Sequence, residues 1–187
     1  MRRRSVTAFF TADLHLGHGN IIRHCNRPFA SADEMDRLLI DVINASVGRN
    51  DALYILGDLT GPRAKRDEAI AYRERILCRH VHLIGGNHDR DCRGTGCFEG
   101  ECFYRKIKLE KRKIILFHYP IAEWDGKWRG SIHLHGHSHN GPEYNQRSID
   151  EGLLRFDVGV DANGFRPVSQ DEILELALRA ETNRTRQ

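Results

Sequence analysis

Five short apolar runs in this 187-residue chain stop abruptly at Asp, His or Asn. VTAFFTA runs into Asp13-Leu-His15, ALYIL into Gly57-Asp58, and VHLI into Gly85-Gly-Asn87-His88-Asp89. KIILF is followed by His118, and SIHLH by Gly136-His137-Ser-His139. In an open α/β sheet the carboxyl ends of parallel strands gather along one edge, so the loops beyond them can converge on a ligand. A lone HxH or strand-end Asp has an ordinary structural explanation. Five such ends in one chain point to a shared site.

The rest of the pattern supports that architecture. Apolar, β-rich runs fall at 6–12, 52–56, 81–84, 113–117, 131–135 and 154–160, and 105–109 is expected to pair with 113–117 as a hairpin across 110–112. Ser31-Ala-Asp-Glu34 is a capping box ahead of Met35, Leu38, Leu39, Val42 and Ile43 at helical spacing. Ser169-Gln-Asp-Glu172 is a second, opening a helix with Ile173, Leu174, Leu176 and Ala177 inward, and 64–78 reads as a third, Arg-rich helix. Strand–helix alternation followed by hairpins predicts one α/β domain over residues 1–187 with a mixed sheet.

Composition excludes several classes. The net charge of +3 permits an anionic ligand without marking a nucleic-acid binder. The arginines at both ends, Arg2 to Arg4 and Arg179, Arg184 and Arg186, read as solvated termini. No segment approaches the roughly 20 apolar residues of a membrane helix. The apolar start is too short for a signal peptide and reads as a first core strand, so the expected location is cytoplasmic. Cys25, Cys78, Cys92, Cys97 and Cys102 are then expected as reduced thiols. Cys92, Cys97 and Cys102 lack the CxxC pairs of a zinc knot and read as an ordinary glycine-rich loop.

Carboxylate, imidazole and amide oxygen donors together suit divalent Mn, Fe, Zn or Ni. Two ions sharing one carboxylate can lower the pKa of a shared water and clamp both ends of an in-line displacement at phosphorus. DLH, GD, GNHD, a strand-end His and GHSH, in that order from Asp13 to His139, resemble the full signature of the calcineurin-like metallophosphoesterases. The resemblance implies two packed mixed β-sheets flanked by helices. It implies that Asp13, His15, Asp58 and His139 hold one metal, and that Asp58, Asn87, His118 and His137 hold the other, with Asp58 bridging. The cofactor expected is a pair of divalent ions, Mn2+ first, with Fe, Zn, Ni or Mg as alternatives. His88 would meet the substrate as general acid, with Asp89 or another group orienting its ring. His137 and His139 thus account for half of the HLHGHSHN run; His133 and His135, on the strand itself, are left between supporting the ligands and plain packing.

Two departures bear on the substrate. Protein phosphatases of this family carry GDxxDRG and GNHE, whereas this chain reads GDLTGPR, with Gly61 and Pro62 at the Asp and Arg positions, and GNHD. It resembles instead the small stand-alone bacterial and phage-type members, whose substrates are commonly phosphodiesters, nucleotides or unknown. The expected reaction is hydrolysis of a phosphomono- or phosphodiester, with the diester or nucleotide type favoured over phosphoprotein. The expected partner is a phosphoester small molecule or nucleotide, with no membrane involved. His18, Asn20 and Arg27, just after the first motif, are candidates to grip phosphate, and Trp124 and Trp128 either wall the site or pack in the core. A catalytically silent scaffold is the alternative, disfavoured because all seven ligand positions and His88 are present.

Overall fold

The computed structural model describes residues 6–185; the arginines at Arg2 to Arg4 and Arg186 lie outside them. In chain order the strands are β1 (Ala8–Thr11), β2 (Ala52–Ile55), β3 (His80–Ile84), β4 (Gly100–Cys102), β5 (Tyr104–Leu109), β6 (Arg112–Phe117), β7 (Ile132–His135), β8 (Arg155–Asp157) and β9 (Val168–Ser169). The helices are α1 (Gly19–His24), α2 (Ala32–Ser46), α3 (Arg66–Arg75), α4 (Glu143–Asp150) and α5 (Gln170–Arg184). They build two sheets, ordered β4-β3-β2-β1-β9 and β5-β6-β7-β8. β1 to β4 run parallel with β9 antiparallel, and β6 to β8 run parallel with β5 antiparallel. This is the mixed two-sheet α/β architecture expected.

Period-two alternation along the strands separates two cores. Leu53, Ile55, Val81 and Leu83 point to one side, against Met35, Leu39 and Ile43 of α2 and Ala69 of α3. Phe10, Ile114, Leu116, Leu134 and Phe156 fill the space between the sheets, which Ile173, Ala177 and Ala180 of α5 help to close. Each fully buried Leu, Ile or Phe contributes roughly 1.5–3 kcal/mol, so both cores are strongly specified by pattern alone.

Local signals set most boundaries. Ser31 Oγ accepts from Glu34 N at 3.2 Å to start α2, and Ser169 and Glu172 form the reciprocal cap of α5. The expected β5–β6 hairpin forms, but with a tighter tip: Arg112 joins β6 opposite Leu109, and Lys108 faces Lys113. Three elements are shorter than expected, β1 covering only Ala8–Thr11 of the 6–12 run. α3 stops at Arg75 because the buried Arg73 guanidinium folds back to donate to Ile76 O and Cys78 O, capping the helix. β8 ends at Asp157, whose Oδ1 accepts from Gly159 N at 2.7 Å and turns the chain.

Parallel pairing brings the carboxyl ends of β1, β2 and β3 to one edge, and those of β6, β7 and β8 to the facing edge. The edges are joined there: Val160 N donates to Ala12 O at 3.1 Å, and Ala12 bridges to Gly159. Among the described residues no helix is long and apolar enough to cross a membrane.

Candidate metal centre

At the meeting of the two sheet edges, the turns that follow β1, β2 and β7 are tightly wound. Asp13, His15, Asp58, His137 and His139 all have φ between +46° and +70°, five of the eight such non-glycine residues among those described. Left-handed backbone costs a non-glycine residue of order 1–3 kcal/mol and persists where the surroundings over-determine it. The sharp turns aim these side chains at a common point. Gly57 and Gly136 allow the approach: a Cβ on Gly57 would collide with the His118 ring, and one on Gly136 would lie 2.5 Å from Ala12 Cβ and 2.6 Å from Asp13 Oδ2.

Asp58 sits in the middle. Its Oδ2 lies 3.6 Å from His15 Nε2 and 3.6 Å from His118 Nε2, and its Oδ1 accepts from His88 N at 2.9 Å. Asp13, His15 and His139 bring donor atoms within 4.8 Å of one another, as do Asp13, Asp58 and His118. Asn87 Oδ1 lies 3.1 Å from His118 Nε2 and 3.0 Å from His137 Nδ1. All seven expected ligands converge.

The electrostatics suit a cation. Burial, with Asp157 and Asp58 nearby, pushes the Asp13 carboxyl well above its ordinary value. Burial, with His139 and Arg27 beside it, depresses the His15 imidazole to about 2, so the ring stays neutral. His15 Nε2 is buried and has no hydrogen-bond partner. A neutral nitrogen without a partner among buried carboxylates is the donor set a divalent ion satisfies.

A further set of groups holds these side chains. His118 Nδ1 donates to Leu56 O at 2.7 Å, leaving Nε2 facing Asp58. His139 Nδ1 donates to Asp161 Oδ2 at 2.8 Å, which makes Nε2 its nitrogen available for a metal. The Asp13 carboxylate accepts from His137 N at 2.9 Å. Asp157 accepts from Asn140 Nδ2 at 2.7 Å and so fixes the residue after His139.

Several site expectations change on this geometry. Arg27 is not presented to substrate: it is buried, its Nε and Nη2 each 2.8 Å from the Asp161 carboxylate and its Nη2 also donating to Asp13 O. Its charge is spent pairing a buried carboxylate. Asp89 does not orient the His88 ring. Its carboxylate accepts from Asp58 N, Leu59 N and Gly86 N at 2.7, 3.0 and 2.8 Å, satisfying buried amides of the two ligand turns. His88 leans on Asp58 instead, with Nε2 3.9 Å from Oδ2. Trp124 packs in the core and donates to Ser131 O, while Trp128 points into solvent, 76% exposed. His133 and His135 are fully buried and bond to backbone and to Tyr144 rather than joining the ligand groups.

His18 and Asn20 do line a cleft, of about 450 Å³, together with Gly61, Arg63, Glu68 and Tyr72. His18 Nδ1 is 3.3 Å from His15 Nδ1, so the cleft opens directly beside the ligands. Asp36 accepts from Gly17 N and Tyr72 Oη and pins this wall. A Cβ on Gly61 would sit 2.6 Å from His18 Cβ. The glycine at the phosphatase Asp position therefore makes room for His18. Cys92 is buried with its Sγ 3.3 Å from Thr60 Oγ1, Cys97 lies beside Thr95, and Cys102 ends β4.

The family profile of calcineurin-like phosphoesterases matches residues 7–178. The chain belongs to this family. An uncharacterised protein of Methanocaldococcus jannaschii is 33% identical over 177 residues, 95% of this chain and 94% of its own length. The gene 66 protein of Mycobacterium phage L5 is 29% identical over 197 residues, 90% of this chain and 92% of the phage protein. A solved protein of unknown function from Aquifex aeolicus superposes with a TM-score of 0.74 at 23% identity, over 92% of this chain and 100% of that one, and shares the fold. As a calcineurin-like phosphoesterase, the chain is a metal-binding hydrolase of phosphoester bonds.

Proposed function

We propose that this phosphoesterase uses two divalent ions, manganese first among them, to hydrolyse phosphodiesters of the nucleotide type in preference to phosphoproteins. The observation that carries the reading is the convergence of six other donor side chains around Asp58, with the buried His15 Nε2 left without a protein partner. Asp13, His15, Asp58 and His139 would hold one ion, and Asp58, Asn87, His118 and His137 the other. When bound, the ions supply Lewis acidity, activating water and neutralising the phosphoryl oxygens.

The chain's own groups do the rest. His118 is held by Leu56 O and His139 by Asp161, so each presents one nitrogen inward. His88, about one-third exposed at the side chain and close to Asp58, gives a proton to the departing alkoxide. His18, Asn20 and Arg63 in the adjoining cleft receive the phosphoryl oxygens and the leaving group. Preference against phosphoproteins follows from Gly61 and Pro62 standing where the phosphatases place Asp and Arg. The test is hydrolysis of bis-p-nitrophenyl phosphate by chelated protein before and after Mn2+ is added. Restoration by metal is expected. No hydrolysis with Mn, Mg, Zn, Fe or Ni would remove the proposal.

A further inference from the structure

A line of rings leads from the protein surface to His118 and His137. The Tyr119 ring lies 4.5 Å from His137 and 4.9 Å from His118, centroid to centroid. Phe117 follows at 5.5 Å, and Tyr104, its cross-strand partner on the edge strand β5, at 6.1 Å. Tyr104 is 40% exposed, and the neighbouring Phe103 51%. Arg93 stacks its guanidinium 3.9 Å over Phe103, and Lys106 Nζ lies 5.9 Å from the Tyr104 centroid.

Charge is concentrated along the same edge. Residues 104–113 (YRKIKLEKRK) hold six Lys and Arg and one Glu, a net +5 in ten residues. Lys106 and Lys113 pair with Asp125 and Arg112 with Glu181, which leaves Arg105, Lys108 and Lys111 outside these pairs. Since the whole chain is +3, the remainder is −2. Lysines on an edge strand also guard against edge-to-edge pairing. That role accounts for Lys106 and Lys108, but not for exposed rings continuing inward to His137. Rings spaced along a basic track are the surface that holds single-stranded nucleic acid, bases on the rings and phosphates on the cations.

We propose that this edge binds single-stranded nucleic acid and that such a strand is the substrate. One base rests against Tyr104 and Phe117 and the next against Tyr119, with the backbone along Lys108. The strand is thereby led to the phosphodiester-cleaving centre. This assignment of substrate rests on the phosphodiesterase reading above; the binding surface does not.

The test is fluorescence anisotropy of labelled oligothymidylate and oligouridylate with the chelated full-length protein, where nothing is hydrolysed. Tyr104→Ala should weaken binding by about tenfold or more, and Tyr104→Phe should restore it, since stacking needs the ring and not the hydroxyl. Lys108→Gln should lower the slope of log K against log salt by about 0.7, the value for one phosphate contact on a single strand. Thermal melts establish that each variant folds. Absence of binding to both oligonucleotides, or equal binding by Tyr104→Ala, overturns the proposal. If bis-p-nitrophenyl phosphate is hydrolysed in that case, the phosphodiesterase reading stands alone. Ring-dependent binding without hydrolysis of any diester would instead retain the surface and remove the reading.

Discussion

Removing the Asp161 carboxylate should damage stability and metal binding together. The Arg27 side chain is fully buried, and Asp161, 9% exposed, is its bidentate partner at 2.8 Å on both arms. Asp161→Ala leaves that guanidinium buried without a countercharge, which costs about 3–5 kcal/mol. Against a typical total of about 5–15 kcal/mol this is severe. At about 2–4 °C per kcal/mol for a chain of this size, the melting temperature should fall by about 6–20 °C. The same carboxylate holds His139 Nδ1, so metal affinity should drop about 10–100-fold. Burial alone would raise the Asp161 carboxyl, but hydrogen bonds from His139 and Arg27 outweigh it and hold it below the ordinary 3.8. Its contribution is therefore present above pH 3.8 and lost only as acid protonates it. Adding Arg27→Met removes the orphaned charge and should recover part of the stability without recovering metal affinity. Urea unfolding of the chelated protein and calorimetric metal titration measure the two effects. A variant melting within about 2 °C of wild type, with unchanged metal affinity, would refute the reasoning.

Gly136→Ala should reduce metal affinity more than a surface substitution does, because its Cβ would crowd Asp13 Oδ2 at 2.6 Å and Ala12 Cβ at 2.5 Å; metal titration reads this directly. His133 and His135 are depressed from 6.5 to about 4, first by burial. The unfolded chain therefore takes up protons before the native one, and the unfolding free energy should fall as pH drops from 6.5 to about 4. A His133→Gln variant should show a shallower fall in the same denaturation series. His88→Asn should cost about 10²–10⁴-fold on nucleoside phosphodiesters and much less on p-nitrophenyl esters, whose leaving group needs no proton. Equal losses on both substrates would remove the general-acid role.

Strand ends carried most of what the sequence disclosed, since burial on both faces makes each run apolar until the chain turns, and the turn residues then face the site. Asp13, Asp58, Asn87, His118, His137 and His139 were legible on that ground, and the ordered motifs added the ligand grouping. Asp157 obeys the same rule, ending β8, whereas Asp161 lies in the turn four residues beyond that strand end and carries no such mark in the sequence. Arg27 was misjudged because no local pattern distinguishes a surface arginine from one buried against a carboxylate 134 residues away. Asp89 was misassigned for a related reason: adjacency to His88 in sequence suggested contact, whereas the turn sends its carboxylate to backbone amides of another loop. The exchange of Gly61 for room beside His18 likewise exists only in three dimensions.

The central claim is a shared site for two ions around Asp58, and counting bound metal tests it most directly. Chelated protein titrated with Mn2+ should bind two ions per chain, with phosphodiester hydrolysis reaching its maximum only at the second, and Asp58→Asn should weaken both. Full activity with a single tightly bound ion, or hydrolysis that survives exhaustive chelation, would contradict the account.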